Sequence, residues 1–393
     1  MRSNRTDKPE AAVQLVDELI GRALSRRASD VHFEPAEQAL LIRYRIDGQL
    51  QDVEQVPVEL APNVIGRLKV LGRLLTYRTD VPQEGRIEAN GQAWPGQADM
   101  RLAVFPTIRG ERAVVRLFYH QPEVVDLDEL GLADADVDRL RAAVRSPQGL
   151  LIVAGPAGSG KTTTLYALVR HILQTQPGRS VVTLEDPVEQ RLSGVAQIEV
   201  KPFGELTYPR AMRSLLRQDP QVLLLGEIRD AETAGIAVEA ALAGHLILTT
   251  MHSGDPAEAL VRLLEMKLPP YQITSSVALV WTQRLLRLLC EACKRPTSDK
   301  TQPFEPASCP QCDASGYRGR TACASWAAMA DSLREAILAS ADAAALRSVI
   351  GQQGSSTLAA DALRHVRAGR TTLDDLRRVV PFGDDPESSA TES

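Results

Sequence analysis

The sequence predicts an α/β fold. A mostly parallel sheet with helices on both faces is preceded by a smaller α+β domain and followed by a cysteine segment and a helical C-terminal region. Three observations predict it. An apolar run at residues 150–154 enters the glycine-rich stretch Gly155-Pro156-Ala157-Gly158-Ser159-Gly160-Lys161-Thr162, and residues 163–173 leave it with helical spacing. Apolar runs at 180–184, 222–225 and 246–250 then alternate with helical patterns near 231–243 and 256–266, the signature of a parallel sheet. Before residue 119, short alternating strands are joined by the hairpin signals Asp47-Gly48 and Asn90-Gly91.

In chain order, Val13, Val16, Leu19, Ile20, Ala23 and Leu24 recur at helical spacing and predict an opening amphipathic helix, which Ser29-Asp30 ends. Residues 31–33 and 40–46 read as strands, and the Asp47-Gly48 turn leads to another. Helical spacing returns at 64–75, and strands at 100–105 and 112–117 flank a turn at 106–110. The polar, proline-bearing stretch 121–128 reads as a linker, and 332–380 as helical. The expected organisation is an α+β domain over 1–118, a linker over 119–130, the nucleotide domain over 131–289, a tetracysteine module over 290–315, a helical region over 316–382 and a disordered tail over 383–393.

At 393 residues the chain is long enough for two or three domains with real cores. Its net charge of −5 argues against a nucleic-acid backbone as the main partner. No apolar run reaches the roughly 20 residues that span a bilayer, and the polar start, residues 1–10, lacks the apolar core of a secretory signal. A cytoplasmic protein that meets a membrane only through partners is expected.

The glycine-rich stretch fits G-x-x-x-x-G-K-[ST] without a mismatch. Its glycines, with Pro156, Ala157, Ser159 and Thr163, shape a loop whose backbone N–H groups close around a di- or triphosphate. Lys161 adds a point charge on the phosphates and Thr162 offers a hydroxyl to Mg²⁺. Glu185 and Asp186 end one strand and Glu227 another, and in a parallel sheet those ends lie beside the phosphate loop. Such acids hold Mg²⁺ through water or orient an attacking water. His252 falls at a third strand end and can sense a γ-phosphate. Arg101, Arg116, Arg210, Arg213 and Arg217 are candidates for transition-state charge, which arginines often supply from a neighbouring subunit.

Cys290-x-x-Cys293 and Cys309-x-x-Cys312, fifteen residues apart, have the spacing of a four-thiolate zinc site. Four protein ligands leave no open position, so the zinc would be structural. An iron–sulfur or redox site is the rival reading, and Cys323 reads as a small apolar filler.

Taken together, these motifs resemble the secretion ATPases of type II secretion and type IV pilus systems, the GspE/PilB kind, from about residue 13 to 380. Ala28-Ser29-Asp30-Val31-His32-Phe33-Glu34-Pro35, Pro82-Gln83-Glu84-Gly85-Arg86 and Gly110-Glu111-Arg112 are similar to motifs of that family's N2 domain. Glu185-Asp186-Pro187-Val188-Glu189 resembles its aspartate box, Leu216-Arg217-Gln218-Asp219-Pro220 and Gly226-Glu227-Ile228-Arg229-Asp230 its Walker B region, and Gly244-His245 with His252 its histidine box. The resemblance implies a RecA-like P-loop domain and a homo-hexamer that hydrolyses ATP with Mg²⁺. It implies Glu185 as the likeliest base or water-orienting group, Glu227 as support for Mg²⁺ and water, and His252 as reader of the γ-phosphate. Arg101, Arg116, Arg213 and Arg217 would complete the site across domain or subunit boundaries. It also implies an inner-membrane platform protein and other machinery subunits as partners, and supports the zinc reading. The alternatives are a nucleotide-binding regulatory subunit with little hydrolysis and a DNA-translocating motor; the acidic balance argues against the second.

The chain departs from that pattern in places. It begins almost directly at the second domain of many relatives. Gln221 stands where an aspartate is common, Ser253-Gly254-Asp255 replaces Thr-Asn-Asp, and Ala322-Cys323-Ala324-Ser325-Trp326 replaces an Ile-Tyr-Glu-Leu type strand.

Overall fold

A computed structural model describes residues 7–87, 94, 98–119, 126–200 and 206–380. The Asn90-Gly91 hairpin signal, half of the expected linker (120–125) and the acidic tail lie outside them. The chain divides into two compact units, Met1–Glu123 and Val124–Ser393.

The first unit opens with α1 (Asp7–Ser25) and continues through β1 (Asp30–Pro35), β2 (Ala39–Ile46), β3 (Gln49–Pro57), α2 (Ala61–Leu71), β4 (Gln83–Ile87), β5 (Ala98–Thr107) and β6 (Gly110–Tyr119). The strands form one antiparallel sheet, ordered β3-β2-β1-β6-β5-β4. Asp47 and Gly48 both have positive φ, 47° and 82°, as a two-residue hairpin turn requires. One sheet face is apolar: Val31, Phe33, Ile42, Tyr44, Leu102 and Val115 are buried with Val16, Leu19 and Ile20 of α1 and Val64 and Leu68 of α2. Period-2 alternation puts the charges on the other face. A cross-strand row there runs Arg45, Asp30, Arg116, Arg101, Arg86, each the register partner of the next.

The resembling motifs have physical reasons here. A Cβ on Gly85 would meet the Gly72 carbonyl oxygen at 2.2 Å, so only glycine lets β4 approach the end of α2. Asp30 accepts from Arg116 at 3.0 Å, and Glu34 from Arg112 at 2.7 Å and Arg43 at 3.1 Å. Glu111 pairs with the fully buried Lys69 at 2.5 Å, and the same ammonium donates to the Arg78 carbonyl at 2.7 Å, fixing the segment between α2 and β4. Lys69→Met should cost about 3 kcal/mol, because it strands a nearly buried carboxylate, and adding Glu111→Leu should restore most of it. Thermal unfolding of the two variants checks this.

The second unit carries α3 (Asp134–Arg145), β7 (Gly149–Ala154), α4 (Lys161–Thr175), β8 (Val181–Glu185), β9 (Ala196–Glu199), α5 (Tyr208–Leu215), β10 (Val222–Leu225), α6 (Ala231–Leu242), β11 (Leu246–Met251), α7 (Pro256–Glu265), α8 (Pro270–Ser276) and β12 (Val277–Leu289). The two-residue strands β13 (Arg295–Pro296) and β14 (Phe304–Glu305) follow, then β15 (Tyr317–Ala328), α9 (Asp331–Leu338), α10 (Ala343–Gly351), α11 (Leu358–Arg367) and α12 (Leu373–Val379). Seven strands form one sheet, ordered β15-β12-β7-β11-β10-β8-β9, parallel throughout except for the β12–β15 pair. Its inner strands read as continuous apolar runs because both faces are covered: β7, β8, β10 and β11 are buried at every position.

Several elements differ from the sequence expectation. Residues 317–328, assigned to the helical region, form β15. The cysteine segment is thus an insertion between two paired strands of the main sheet. Pro106 and Thr107 belong to β5, so the turn shrinks to residues 108–109. The short strands β4 and β9 have no clear periodicity in the sequence, whereas α3 carries Val137, Leu140 and Val144 at helical spacing within a stretch given no element in the sequence expectation. The unusual 322–326 segment is the buried part of β15. The Trp326 indole donates to Asp136 at 3.0 Å, and Arg139 stacks on its ring at 3.3 Å, tying β15 to α3.

Candidate functional site

Four strand ends converge at one edge of the main sheet. β7, β8, β10 and β11 are parallel neighbours, so the phosphate loop, Glu185, Glu227 and His252 follow from their carboxyl ends on the same side. The loop needs its glycines. Gly155, Gly158 and Gly160 have φ of 148°, 75° and 85°, and Gly160 caps α4 in the left-handed region. A Cβ on Gly155 would also sit 2.7 Å from the Gln283 carbonyl oxygen. The loop therefore delivers the amino-terminal end of α4, with its unsatisfied N–H groups, to one place.

Lys161, half-buried, donates to the carbonyls of Gly155 at 2.8 Å and Pro156 at 2.9 Å. Burial pushes its ammonium below the ordinary lysine range; the Glu227 carboxylate pulls it back up, and Arg284 lowers it further. Glu227 and Lys161 thus share one electrostatic environment. Thr162 is half-buried on the first turn of α4, and Thr163 is exposed beside it.

Glu227 and His252 are brought together. The His252 imidazole lies 3.2 Å from Glu227, whose other oxygen accepts from Arg229 at 3.1 Å. Glu227 keeps 20% of its side-chain surface exposed, so this acid is open to a ligand. Glu185 is held differently. It is 3% exposed, and its carboxylate accepts hydrogen bonds from Tyr166, from Thr183 at 2.5 Å and from Gln197 at 3.3 Å. Tyr166 is buried beside it, and burial together with the Glu185 charge drives the phenol far above its ordinary pKa, so it remains a donor. Gly226 leaves room here for Tyr208, whose hydroxyl a Cβ would meet at 2.7 Å and displace.

The candidate arginines are divided between the two units. Arg213 is exposed on α5 and pairs with Glu232 at 2.9 Å, and Arg217 is exposed just beyond that helix, along with Arg210 within it. Arg101 and Arg116 belong to the first unit, where they pair with Glu84 at 3.2 Å and Asp30 at 3.0 Å.

The motifs give no role to Tyr166, Gln197 or Gln283, although Gln283-Arg284-Leu285 is the stretch through which the family resemblance leads into the cysteines. Tyr166 and Gln197 hold Glu185. Gln283 underpins the phosphate loop, and its signal was present in the sequence as a lone amide inside the apolar run of β12.

The cysteines form a second site. The Sγ atoms of Cys290, Cys293, Cys309 and Cys312 all lie within 4.8 Å of one another, with separations of 3.8, 3.8 and 3.6 Å among them. Four thiolates about 2.3 Å from a tetrahedral zinc would stand about 3.8 Å apart, so the donor set fits zinc. Gly316 N–H donates to the Cys312 sulfur at 3.3 Å. Cys323 is elsewhere, fully buried in β15, where burial pushes its thiol up to about 12.

Among the described residues no helix is long and apolar enough to cross a membrane.

Comparison with known proteins agrees with this geometry. The type II secretion system protein E of Dickeya dadantii is 37% identical over 382 residues, 94% of this chain and 75% of that protein. The type II secretion system ATPase E of Vibrio cholerae is 37% identical over 384 residues, 94% of this chain and 75% of that protein. The solved structure of the Legionella pneumophila ATPase DotB shares the fold, with a TM-score of 0.68 at 20% identity over 93% of this chain and 95% of that one. With residues 5–378 matching the family model for type II/IV secretion system proteins, a span that takes in both the phosphate loop and the cysteine site, this chain belongs to that family.

Proposed function

We propose that the protein is a hexameric ATPase that powers type II protein secretion or the assembly of a type IV pilus or pseudopilus. The carrying observation is the meeting of the phosphate loop with Glu227 and His252 at one sheet edge, in a chain of the secretion family. The α4 N–H groups and the Lys161 ammonium hold the β- and γ-phosphates. The Thr162 hydroxyl and Glu227 would hold Mg²⁺, which neutralises phosphate charge when bound. His252, fixed against Glu227, reads the γ-phosphate. Glu227 is the carboxylate already open to an attacking water. Glu185 serves as water-orienting group only after it exchanges one of its three donors for that water. Arg101, Arg116, Arg213 and Arg217 complete the charge around the phosphates across domain or subunit boundaries.

The working unit is a cytoplasmic ring, held peripherally at the inner membrane by a platform protein and other machinery subunits. It needs no contact with nucleic acid. The cysteine site holds a structural zinc.

Purified protein should hydrolyse ATP with Mg²⁺, and DNA should not stimulate it. Glu227→Gln should slow turnover by about a hundredfold or more while ATP still binds. Single-turnover measurements beside Glu185→Gln decide between the two acids. A larger loss in Glu185→Gln would assign the base to Glu185.

A further inference from the structure

We propose that Gln283 is a positioning residue that sets the shape of the phosphate loop from beneath. The inference rests on the ATP-binding reading of that loop and adds a residue to it. β12 runs parallel to β7, with Trp281 opposite Val153 and Thr282 opposite Ala154, so Gln283 arrives where β7 gives way to Gly155. Period-2 alternation puts Trp281 and Gln283 on one side of the strand. The Gln283 amide is 1% exposed, and both its nitrogen and its oxygen are hydrogen-bonded. Its nitrogen donates to the Ser159 carbonyl at 2.8 Å, and its oxygen accepts from the Thr164 hydroxyl at 2.9 Å and the Trp281 indole at 3.0 Å. One side chain therefore binds the loop at Ser159 and the first turn of α4 at Thr164, on either side of Lys161 and Thr162.

The contacts with glycine point the same way. A Cβ on Gly155 would meet the Gln283 carbonyl oxygen at 2.7 Å, and one on Gly160 would meet its side-chain nitrogen at 3.1 Å. Two loop glycines are thus fitted against this one residue. Neighbouring Arg284, 7% exposed, donates to the carbonyls of Gln283 at 3.0 Å and Gly254 at 3.0 Å, linking the same strand to the segment after His252. In a buried network every member is costly to leave unpaired. Without Gln283 the Ser159 carbonyl and the Thr164 hydroxyl lose their partner, and the loop is free to adopt shapes in which its N–H groups no longer converge. Positioning of this kind changes affinity for the phosphates before it changes anything in the chemistry.

Gln283→Met, close in volume and without hydrogen bonds, tests the idea in the full chain. In nucleotide-free protein, hydrogen exchange at amides 157–162 should speed up. The dissociation constant for Mg-ADP should rise about tenfold, equivalent to about 1.4 kcal/mol. The KM for ATP should rise more than kcat falls. Val366→Ala, a core change in α11, controls for stability and should leave the exchange and the affinity as they are. A Gln283→Met protein with lowered thermal stability but wild-type exchange and ADP affinity would reduce Gln283 to a core residue and overturn the proposal. If that variant does not fold, Thr164→Val removes one of the same bonds. It should raise the ADP dissociation constant about threefold, and no change would overturn the proposal equally. The exchange measurement needs no nucleotide. A wild-type protein that fails to bind ADP would therefore count against the ATPase reading alone, while exchange would still judge the role of Gln283.

Discussion

Lys161→Ala should reduce ATP turnover about a thousandfold, a loss of about 4 kcal/mol of transition-state stabilisation. The argument begins with the ammonium itself. Two of its three protons go to the carbonyls of Gly155 and Pro156, at 2.8 and 2.9 Å, so the charge is fixed over the loop and not left to wander in solvent. Its surroundings are half-buried and include Glu227, so the field it presents to a phosphate is stronger than that of a surface lysine. The variant loses that charge and also the pair of bonds that close the loop on itself. Nucleotide affinity and kcat should therefore fall together. Lys161→Arg should recover part of the affinity and little of the rate, because a planar guanidinium cannot take the same place over two adjacent carbonyls. Steady-state phosphate release, read beside equilibrium ADP binding, separates the two effects. Turnover at the wild-type level in Lys161→Ala would remove the phosphate loop from the mechanism.

How much of this was legible in the sequence depended on whether the signal was local. The phosphate loop was, because positive φ at Gly155, Gly158 and Gly160 and the helix that follows are properties of adjacent residues. The parallel strands were, because burial on both faces leaves continuous apolar runs. β15 was not. Its first four residues, Tyr-Arg-Gly-Arg, are mostly polar because that end of the pair with β12 carries the cysteine insertion, and the remaining eight are mostly small residues that read equally well as helix. Glu185 shows the same limit within the site. Its place at a strand end was evident, but its three donors come from α4, β8 and β9 and meet only in the folded sheet. The family resemblance puts Glu185 first as the base, whereas the unequal exposure of the two acids, 3% for Glu185 against 20% of the Glu227 side chain, favours Glu227. Gln283 was visible as an anomaly, an amide inside an apolar strand, whose meaning depended on knowing that β12 lies beside β7.

Removal of the metal from the cysteine site should unfold residues 290–316 while sparing most ATP hydrolysis. Between the two C-x-x-C pairs the chain has only the two-residue strands β13 and β14, and most of its side chains are exposed or half-buried. Such a segment cannot bury enough apolar surface to hold itself together, and four thiolates on a zinc supply on the order of 10 kcal/mol in comparable small modules. Its contacts with the rest of the unit are few and specific. The Gln302 side chain accepts from the Leu373 N–H at 2.8 Å, and the Lys294 ammonium donates to the Gly369 carbonyl at 3.4 Å. The main sheet should outlast it, because β12 is paired with β15 from Leu279 to Leu289 and with β7 at its other edge, and the Arg287–Asp375 pair at 2.7 Å ties it to α12. A zinc-selective chelator in excess Mg²⁺ should therefore open 290–316 to limited proteolysis while turnover falls by less than about tenfold, since a metal with four protein ligands has no open position for catalysis. Cys309→Ser should behave in the same way. Metal analysis should find zinc, and cobalt substitution should give the intense visible absorption of a tetrahedral thiolate site. Iron with acid-labile sulfide in the purified protein would replace the zinc assignment with a cluster, and complete loss of hydrolysis on chelation would make this metal part of the catalytic machinery.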